Sequence, residues 1–228
     1  MKFIASDFDE TIYLVNNEIT TKENITSIKD FISKGNSFCI ISGRNYTDIK
    51  VLLNELDIPY TYLICEDGAK IFNSVDQCLD TTYLEKDEIE EIIKILDEEE
   101  YDYYLDDGYN KTENKDDTVK IVINCKDRDE ALKIEKNIKS KIDIHIYASR
   151  THVNIIHKTV NKKNGLEKLF YLEDLDFNDL YVIGDNDNDY EMLKRFKGGV
   201  ITNHHKILDE LNKKEFDSLH EFIKYVEK

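Results

Sequence analysis

The sequence predicts an α/β fold, in which a Rossmann-like core domain with a parallel sheet is interrupted by a smaller α+β domain. Both ends of the chain alternate short apolar runs with amphipathic helical patterns, which is typical of parallel sheets with right-handed crossovers. In the middle, the order changes to helix, strand, strand, helix, strand, strand. The 228 residues, 40% of them hydrophobic, can bury one large core or two modest ones. We expect a core domain at residues 1–79 and 159–228 and an inserted domain at 80–158.

The first part of the core begins with a buried strand, predicted by the apolar run from Lys2 to Ser6. A helix follows at residues 22–34, where Thr20 and Glu23 have the spacing of a capping box and Gly35 marks the end. The remaining elements of this part are strands at 37–41 and 62–65 and a helix at 46–56.

The inserted domain and the end of the core follow from the same periodicities. For the inserted domain we predict helices at 86–100 and 127–141 and strands at 101–105, 119–125, 143–147 and 152–156. For the end of the core we predict helices at 163–172 and 189–196, strands at 180–183 and 199–202, and two terminal helices.

Composition and charge exclude several functional classes. Asp and Glu number 48 against 31 Lys and Arg, so the formal net charge of −17 repels a nucleic acid backbone. No apolar run approaches 18 residues and the seventh residue is already acidic, so we expect neither a membrane span nor a signal peptide. The four cysteines show no paired spacing and are expected to be free thiols. A soluble, cytoplasmic protein is expected.

Acidic residues follow the first predicted strand. Asp7 and Asp9 stand where ligands bind in parallel α/β sheets, outside the carboxyl end of a strand. Two carboxylates at this spacing can share one hard cation, or they can act as nucleophile and acid/base. The alternative is a solvated acidic loop.

A second oxygen-rich segment, Gly184 to Asp189, follows the strand predicted at 180–183. Its composition suits Mg²⁺ or Ca²⁺. An EF-hand loop is disfavoured, because Tyr190 stands where that loop requires glycine and Phe196 where it requires glutamate.

Two further segments suit phosphate. Ser42-Gly43-Arg44 ends a strand and offers a hydroxyl, backbone amides and a guanidinium, although a simple turn explains Ser42 and Gly43 equally well. Lys162 opens a helix, where a positive charge is unfavourable unless an anion lies nearby. A plain surface lysine is the alternative, above all for Lys163.

In this order the segments resemble the motifs of the haloacid dehalogenase (HAD) superfamily of phosphatases and, within it, the Cof-like subclass. The matching segments are Asp7-Phe8-Asp9-Glu10-Thr11, Ser42-Gly43-Arg44, Glu66-Asp67-Gly68-Ala69, Lys162, and Gly184 to Leu193. The family's cap domain lies between its second and third motifs, where residues 80–158 intrude here.

The resemblance implies a Mg²⁺-dependent phosphatase with Asp7 as nucleophile, forming an aspartyl-phosphate, and Asp9 as acid/base. It implies Mg²⁺ ligands from Asp7, Asp185, Asp189 and the main-chain carbonyl of Asp9. Phosphate binding is implied for a larger group, in which Asn188 orients Lys162 or the phosphate: Thr11, Ser42, Gly43, Arg44, Lys162 and Asn188.

The expected substrate is a small phosphorylated metabolite, such as a sugar phosphate or phosphoglycolate, and the expected state a monomer or small homo-oligomer. The chain departs from the family's usual residues at Glu10, where glycine is most common, and at Asp67, where asparagine is usual. Three alternatives remain: a phosphomutase on the same core, a catalytically silent phosphate-binding regulatory protein, and a receiver domain. The last has about half this length and no inserted domain.

Overall fold

The computed structural model describes residues 1–149 and 151–228. Two compact units form. The core unit comprises Met1–Arg44, Asp48–Asp80 and Asn161–Lys228, and the inserted unit comprises Asn45–Thr47 and Thr81–Val160. The domain boundaries expected from the sequence stay a prediction, because compactness does not by itself establish that each part folds as a domain.

The helices and strands alternate along most of the chain. In order they are β1 (Phe3–Asp7), α1 (Glu18–Ser33), β2 (Ser37–Ile41), α2 (Tyr46–Glu55), β3 (Tyr62–Cys65), β4 (Lys70–Asn73), β5 (Cys78–Thr81), α3 (Lys86–Glu98), β6 (Tyr103–Asp106), β7 (Lys111–Thr112), β8 (Lys120–Asn124), α4 (Arg128–Lys139), β9 (His145–Ala148), β10 (His152–Ile156), α5 (Lys162–Leu172), β11 (Leu180–Gly184), α6 (Tyr190–Arg195), β12 (Lys197–Ile201), β13 (Lys214–Phe216) and α7 (Leu219–Glu227).

An eight-stranded sheet organises the core unit, with the strand order β13-β12-β11-β1-β2-β3-β4-β5. The strands from β13 to β3 pair in parallel, and β4 runs antiparallel to β3. In the register, Asp7 pairs with Ile41 and Ser6 with Ile183. The residues that follow β1, β2 and β11 therefore emerge side by side at one edge of the sheet, where parallel α/β folds bind ligands.

The central strands are apolar because both of their faces are covered. Every residue of β1 and β2 is buried, as parallel strands between helical layers require. On one face, Leu166, Leu169 and Phe170 of α5 pack in the same apolar cluster as Phe3 and Val182. This packing anchors the helix that begins with Lys162.

The inserted unit has its own antiparallel sheet, with the order β7-β6-β8-β10-β9. Alternate residues of β8 and β10 face an apolar cluster that also contains residues of both helices; they are Ile121, Ile123, Val153 and Ile155. The helical members of that cluster include Ile89, Ile92 and Leu96 from α3 and Ala131, Ile134 and Ile138 from α4. The mixed α/β fold with an additional antiparallel sheet is therefore as expected.

Some local predictions are wrong. Helix α1 begins at Glu18, four residues early, because Asn17 is its N-cap and accepts a hydrogen bond from the Thr20 amide. The expected capping box of Thr20 and Glu23 lies inside the helix. Only α7 of the two terminal helices is an α-helix, since Lys206–Leu211 forms a 3₁₀ helix and β13 follows it.

The short strands β4, β5 and β7 were not expected from the periodicity either. Strand β7 has only two residues, and β4 and β5 mix polar with apolar residues, whereas the equally short β3 is apolar throughout. None of the helices in the described part of the chain has the length and apolarity to cross a bilayer.

Candidate active site

The carboxyl edge of the core sheet gathers most of the predicted site residues. Asp7 ends β1, Ser42 follows β2, and Asp185 follows β11. Lys162 is the first residue of α5, and Asp189 ends a 3₁₀ helix at Asp187–Asp189. These positions follow from the parallel topology, because neighbouring parallel strands end at the same edge.

Lys162 lies at the centre of this group, with its side chain wholly buried. Its Nζ donates to Asp7 Oδ1 at 2.5 Å and to Asp189 Oδ1 at 2.7 Å. A positive charge at a helix N-terminus is unfavourable unless an anion lies nearby, and the carboxylates of Asp7 and Asp189 are such anions. The two carboxylates fix the position of the buried Lys162 ammonium.

The loop after β11 is held by Asp189, whose side chain is fully buried. Its Oδ2 accepts hydrogen bonds from the amides of Asp185 and Asn186, each at 3.0 Å. Gly184 allows this fold, because a Cβ there would lie 2.4 Å from the Asp189 carboxyl carbon. Asp185, aimed by this loop, accepts a hydrogen bond from Thr11 Oγ1 at 3.0 Å.

The negative charge of Asp7, Asp185 and Asp189 is not balanced by the single positive charge of Lys162. Burial raises the pKa of Asp7 well above its usual range; Asp189 and Asp185 add to the effect, and Lys162 opposes it. Burial, followed by repulsion from Asp189, raises the pKa of Asp185 to about 6. For Lys162 burial lowers the pKa and is the largest single cause, but Asp189, Asp7 and Asp67 together raise it. The carboxylates therefore favour an additional cation.

The donor set suits a hard divalent ion. Carboxylate oxygens of Asp7, Asp185 and Asp189 lie within 4.8 Å of one another, and oxygen ligands of this kind are those that Mg²⁺ and Ca²⁺ take. Both oxygens of Asp189 already accept hydrogen bonds. Asp7 and Asp185 are thus the side chains best placed to bind an ion directly, with Asp189 orienting its neighbours.

Asp9 and Arg44 form a pair of their own. The guanidinium Nε donates to Asp9 Oδ2 at 2.8 Å and its second nitrogen, Nη2, to Oδ1 at 2.7 Å, in bidentate geometry. Hydrogen bonding to Asp9 raises the pKa of Arg44. Both side chains are partly exposed. Arg44, expected to bind phosphate, thus holds the carboxylate of the expected acid/base in this structure.

Asn188 makes a contact that the sequence did not indicate. Its Nδ2 donates to Asp67 Oδ1 at 2.9 Å, whereas the expected partners of Asn188 were Lys162 or the phosphate. Asp67 is one of the carboxylates that raise the pKa of Lys162, so Asn188 contacts a group whose charge Lys162 feels. The one signal in the sequence was the departure from the family's usual asparagine at position 67.

Ser42 and Glu10 belong to the loops that follow β2 and β1. Ser42 is buried, and its Oγ accepts a hydrogen bond from the Arg44 amide at 3.2 Å. Glu10 has a φ of 60°, a left-handed conformation that favours glycine. This explains why glycine suits the position. The phosphate-binding and metal-binding roles of all these residues stay predictions.

We expect the stability of the metal-free protein to depend on Asp185 and pH. An acid whose pKa is higher in the folded state takes up a proton on folding at pH values between its two pKa values. The contribution of Asp185 to stability therefore falls as pH rises from about 4, the usual aspartate pKa, to about 6, and is constant above that. With a chelator present, Asp185→Asn should therefore melt above the wild type at pH 7.5, and the difference should shrink at pH 4.5. Thermal unfolding of both proteins at both pH values measures this, and a pH-independent difference contradicts it.

The sequence is similar to known proteins over most of its length. The family model of haloacid dehalogenase-like hydrolases matches residues 4–110 and 99–221. A Buchnera aphidicola (subsp. Baizongia pistaciae) protein ascribed a phosphatase activity is 27% identical, covering 90% of this chain and 88% of its own. The 5-amino-6-(5-phospho-D-ribitylamino)uracil phosphatase YwtE of Bacillus subtilis is 34% identical over 38% of this chain and 29% of its own.

A solved structure shows the same fold over nearly the whole chain. It is a Plasmodium vivax protein classed with the HAD/COF-like hydrolases, which superposes with a TM-score of 0.82 at 19% identity and covers 99% of this chain and 94% of its own. The fold, the order of the motifs and the family match agree. The chain belongs to the haloacid dehalogenase-like hydrolases.

Proposed function

We propose that the protein is a Mg²⁺-dependent phosphatase that hydrolyses a small phosphorylated metabolite through an aspartyl-phosphate on Asp7. The observation that carries the proposal is the buried Lys162 ammonium, which donates to both Asp7 and Asp189 beside Asp185. In this arrangement a buried positive charge lies beside a group of three carboxylates, which supports the assignment of a nucleophile and a metal site to that group. These are the groups that phosphoryl transfer requires.

In the first step an oxygen of Asp7 attacks phosphorus, and the bond between phosphorus and the ester oxygen breaks. Asp9 gives its proton to the leaving oxygen. In the second step Asp9 takes a proton from a water molecule, the water oxygen attacks phosphorus, and the Asp7 carboxylate is released with inorganic phosphate. Each step restores the group that the next step needs.

Arg44 has to change partner during this cycle. A carboxyl that donates a proton cannot keep the bidentate pair in which both Asp9 oxygens accept from the guanidinium. A phosphate group competes for Arg44 because guanidinium binds phosphate in the same bidentate way. We infer that Arg44 moves to the substrate phosphate, joining Ser42, Lys162 and the Gly43 backbone as phosphate ligands. Thr11 joins them when its hydroxyl, which donates to Asp185 in this structure, turns to the phosphate.

Asp7 and Asp185, supported by Asp189 and the Asp9 main-chain carbonyl, would hold Mg²⁺. When bound, the ion neutralises charge so that a carboxylate can approach a phosphate dianion. Asp7, whose pKa burial raises, would be ionised with such a cation beside it. We place the activity in the cytoplasm, where the buried thiols of Cys39 and Cys65 stay reduced.

The test of this function is phosphate release from a panel of phosphorylated metabolites, including sugar phosphates, phosphoglycolate and 5-amino-6-(5-phospho-D-ribitylamino)uracil. We expect at least one to be hydrolysed with Mg²⁺, no turnover in excess chelator, and recovery when Mg²⁺ is restored. Chelation should also lower the melting temperature, because Mg²⁺ bound to Asp7, Asp185 and Asp189 stabilises the folded state and the chelator removes it. Full turnover in chelator contradicts the metal requirement, and return of the phosphate to the product indicates a phosphomutase.

The inserted unit is proposed to select the leaving group, since the residues assigned to chemistry all belong to the core unit. We expect Tyr104→Ala and His152→Ala to change KM and the ranking of natural substrates, and to leave hydrolysis of a small aryl phosphate within about twofold of the wild type. Steady-state kinetics on both kinds of substrate measure this. Equal losses on both would show that the inserted unit takes part in the chemistry itself.

A further inference from the structure

The turn that follows β3 is hydrogen-bonded to the loop that follows β2. The Glu66 amide donates to the Arg44 carbonyl and the Asp67 amide to the Ser42 carbonyl, each at 3.0 Å. The backbone of Asp67 has a φ of 54°, in the left-handed region. Asp67 is thereby fixed against the loop that carries the expected phosphate ligands Ser42 and Gly43.

The Asp67 side chain is buried, with 4% of the residue exposed. Its Oδ1 accepts from Asn188 Nδ2 at 2.9 Å. Gly43 leaves room for it, because a Cβ there would lie 3.1 Å from the same oxygen. The carboxylate also raises the pKa of Lys162. The Asp67 carboxylate therefore lies near expected phosphate ligands from three separate segments of the chain, which are Gly43, Asn188 and Lys162.

We propose that Asp67 is a positioning residue whose negative charge weakens the binding of phosphate in this site and so promotes release of the phosphate product. This inference rests on the proposed phosphatase function. Lys162 already serves Asp7 and Asp189, and Asp67 is a further negative charge near it. A phosphate dianion that enters is attracted by Lys162 and repelled by Asp67, and repulsion is strong where water is excluded.

The hydrogen bond from Asn188 does not require the charge of Asp67. An asparagine has the same shape, keeps an oxygen that accepts from Asn188, and tolerates the left-handed backbone as readily as aspartate. The amides of Glu66 and Asp67 bind the turn to the loop after β2 through backbone hydrogen bonds, which the substitution leaves in place. The charge therefore changes the binding of the phosphate dianion without being needed for the fold.

The experiment compares Asp67→Asn with the wild type at saturating Mg²⁺. Calorimetric titration with inorganic phosphate gives its dissociation constant, and steady-state kinetics give KM for two substrates with different leaving groups. We expect phosphate to bind about tenfold more tightly or better. KM should fall by a similar factor for both substrates, because the charge acts on the phosphoryl end that they share. Asp187→Asn, the same change at an exposed position of the neighbouring loop, should leave both constants unchanged.

A purely structural role for Asp67 would give a different result. Damage to the turn lowers kcat and the melting temperature, but it does not tighten phosphate binding. Asp67→Gly is a second variant that removes the charge and suits the left-handed backbone, and it should also bind phosphate more tightly.

Unchanged or weaker phosphate binding in the folded variants, with the wild type active, overturns the inference alone. A wild type that neither hydrolyses phosphate esters nor binds phosphate overturns the proposed function, and the inference with it.

Discussion

Replacing Asp7 by asparagine is expected to lower kcat by roughly three orders of magnitude or more, while substrate still binds. The amide has the shape of the carboxylate but lacks the negative charge, so its oxygen is a much weaker nucleophile towards phosphorus. Lys162 would still contact the side-chain oxygen, since Oδ1 is the acceptor in the structure. Stopped assays on purified protein measure kcat, and calorimetry with inorganic phosphate measures binding.

Thermal unfolding of the variant provides the control for this substitution. Asp7→Asn removes one of the carboxylates that crowd the site, so the metal-free variant should unfold at or above the melting temperature of the wild type. Loss of activity with normal unfolding then reports on chemistry. A variant that keeps a tenth or more of the wild-type rate would show that Asp7 is not the nucleophile.

The second large effect is expected from Lys162→Met, which removes a buried positive charge and keeps most of the side-chain volume. Asp7 and Asp189 then face each other without their ammonium, and breaking a buried ion pair in this way costs about 3–5 kcal/mol. For a protein of this size the melting temperature should fall by about 10 °C. Thermal unfolding with and without Mg²⁺ measures the loss, and Mg²⁺ should recover part of it by occupying the same carboxylates.

Lys163 provides a matched control, since it is the next residue and carries the same charge. Its Nζ pairs with Glu167 at 3.4 Å on the surface of α5, and surface pairs of this kind contribute about 0–1 kcal/mol. Lys163→Met should therefore leave both stability and phosphate release close to those of the wild type. Equal losses from the two substitutions would mean that the helix, rather than the Lys162 contacts, explains the effect.

Much of the core was predictable because its strands are short, apolar and separated by clear helical patterns. Strands β3 and β10 have the predicted bounds. The position of Lys162 was recognised from its electrostatic mismatch with a helix N-terminus, and the structure shows which carboxylates resolve it. The membership of the haloacid dehalogenase-like hydrolases, expected from the order of the motifs, is confirmed by the family match.

The features that were missed depend on contacts between distant residues or on very short segments. Asn17 competes with Thr20 for the cap of α1, and both residue types are good caps, so local pattern could not decide between them. The pairing of Arg44 with Asp9, 35 residues away, and of Asn188 with Asp67, 121 residues away, arises only when the loops meet. Edge strand β13 has three residues, two of them charged and exposed, and it exists because β12 offers a parallel partner.

The most direct test of the account is to trap the phosphoryl group on Asp7. The Asp9→Asn variant lacks the base that activates water, so an aryl phosphate, whose leaving group needs no protonation, should phosphorylate it and leave the adduct to accumulate. Acid quenching, digestion and mass spectrometry locate the group. The account predicts a phosphoryl group on the peptide that contains Asp7, and none when Asp7 is also replaced by asparagine. Release of the aryl alcohol with no adduct on Asp7 at any time, or an adduct on another residue, would contradict it.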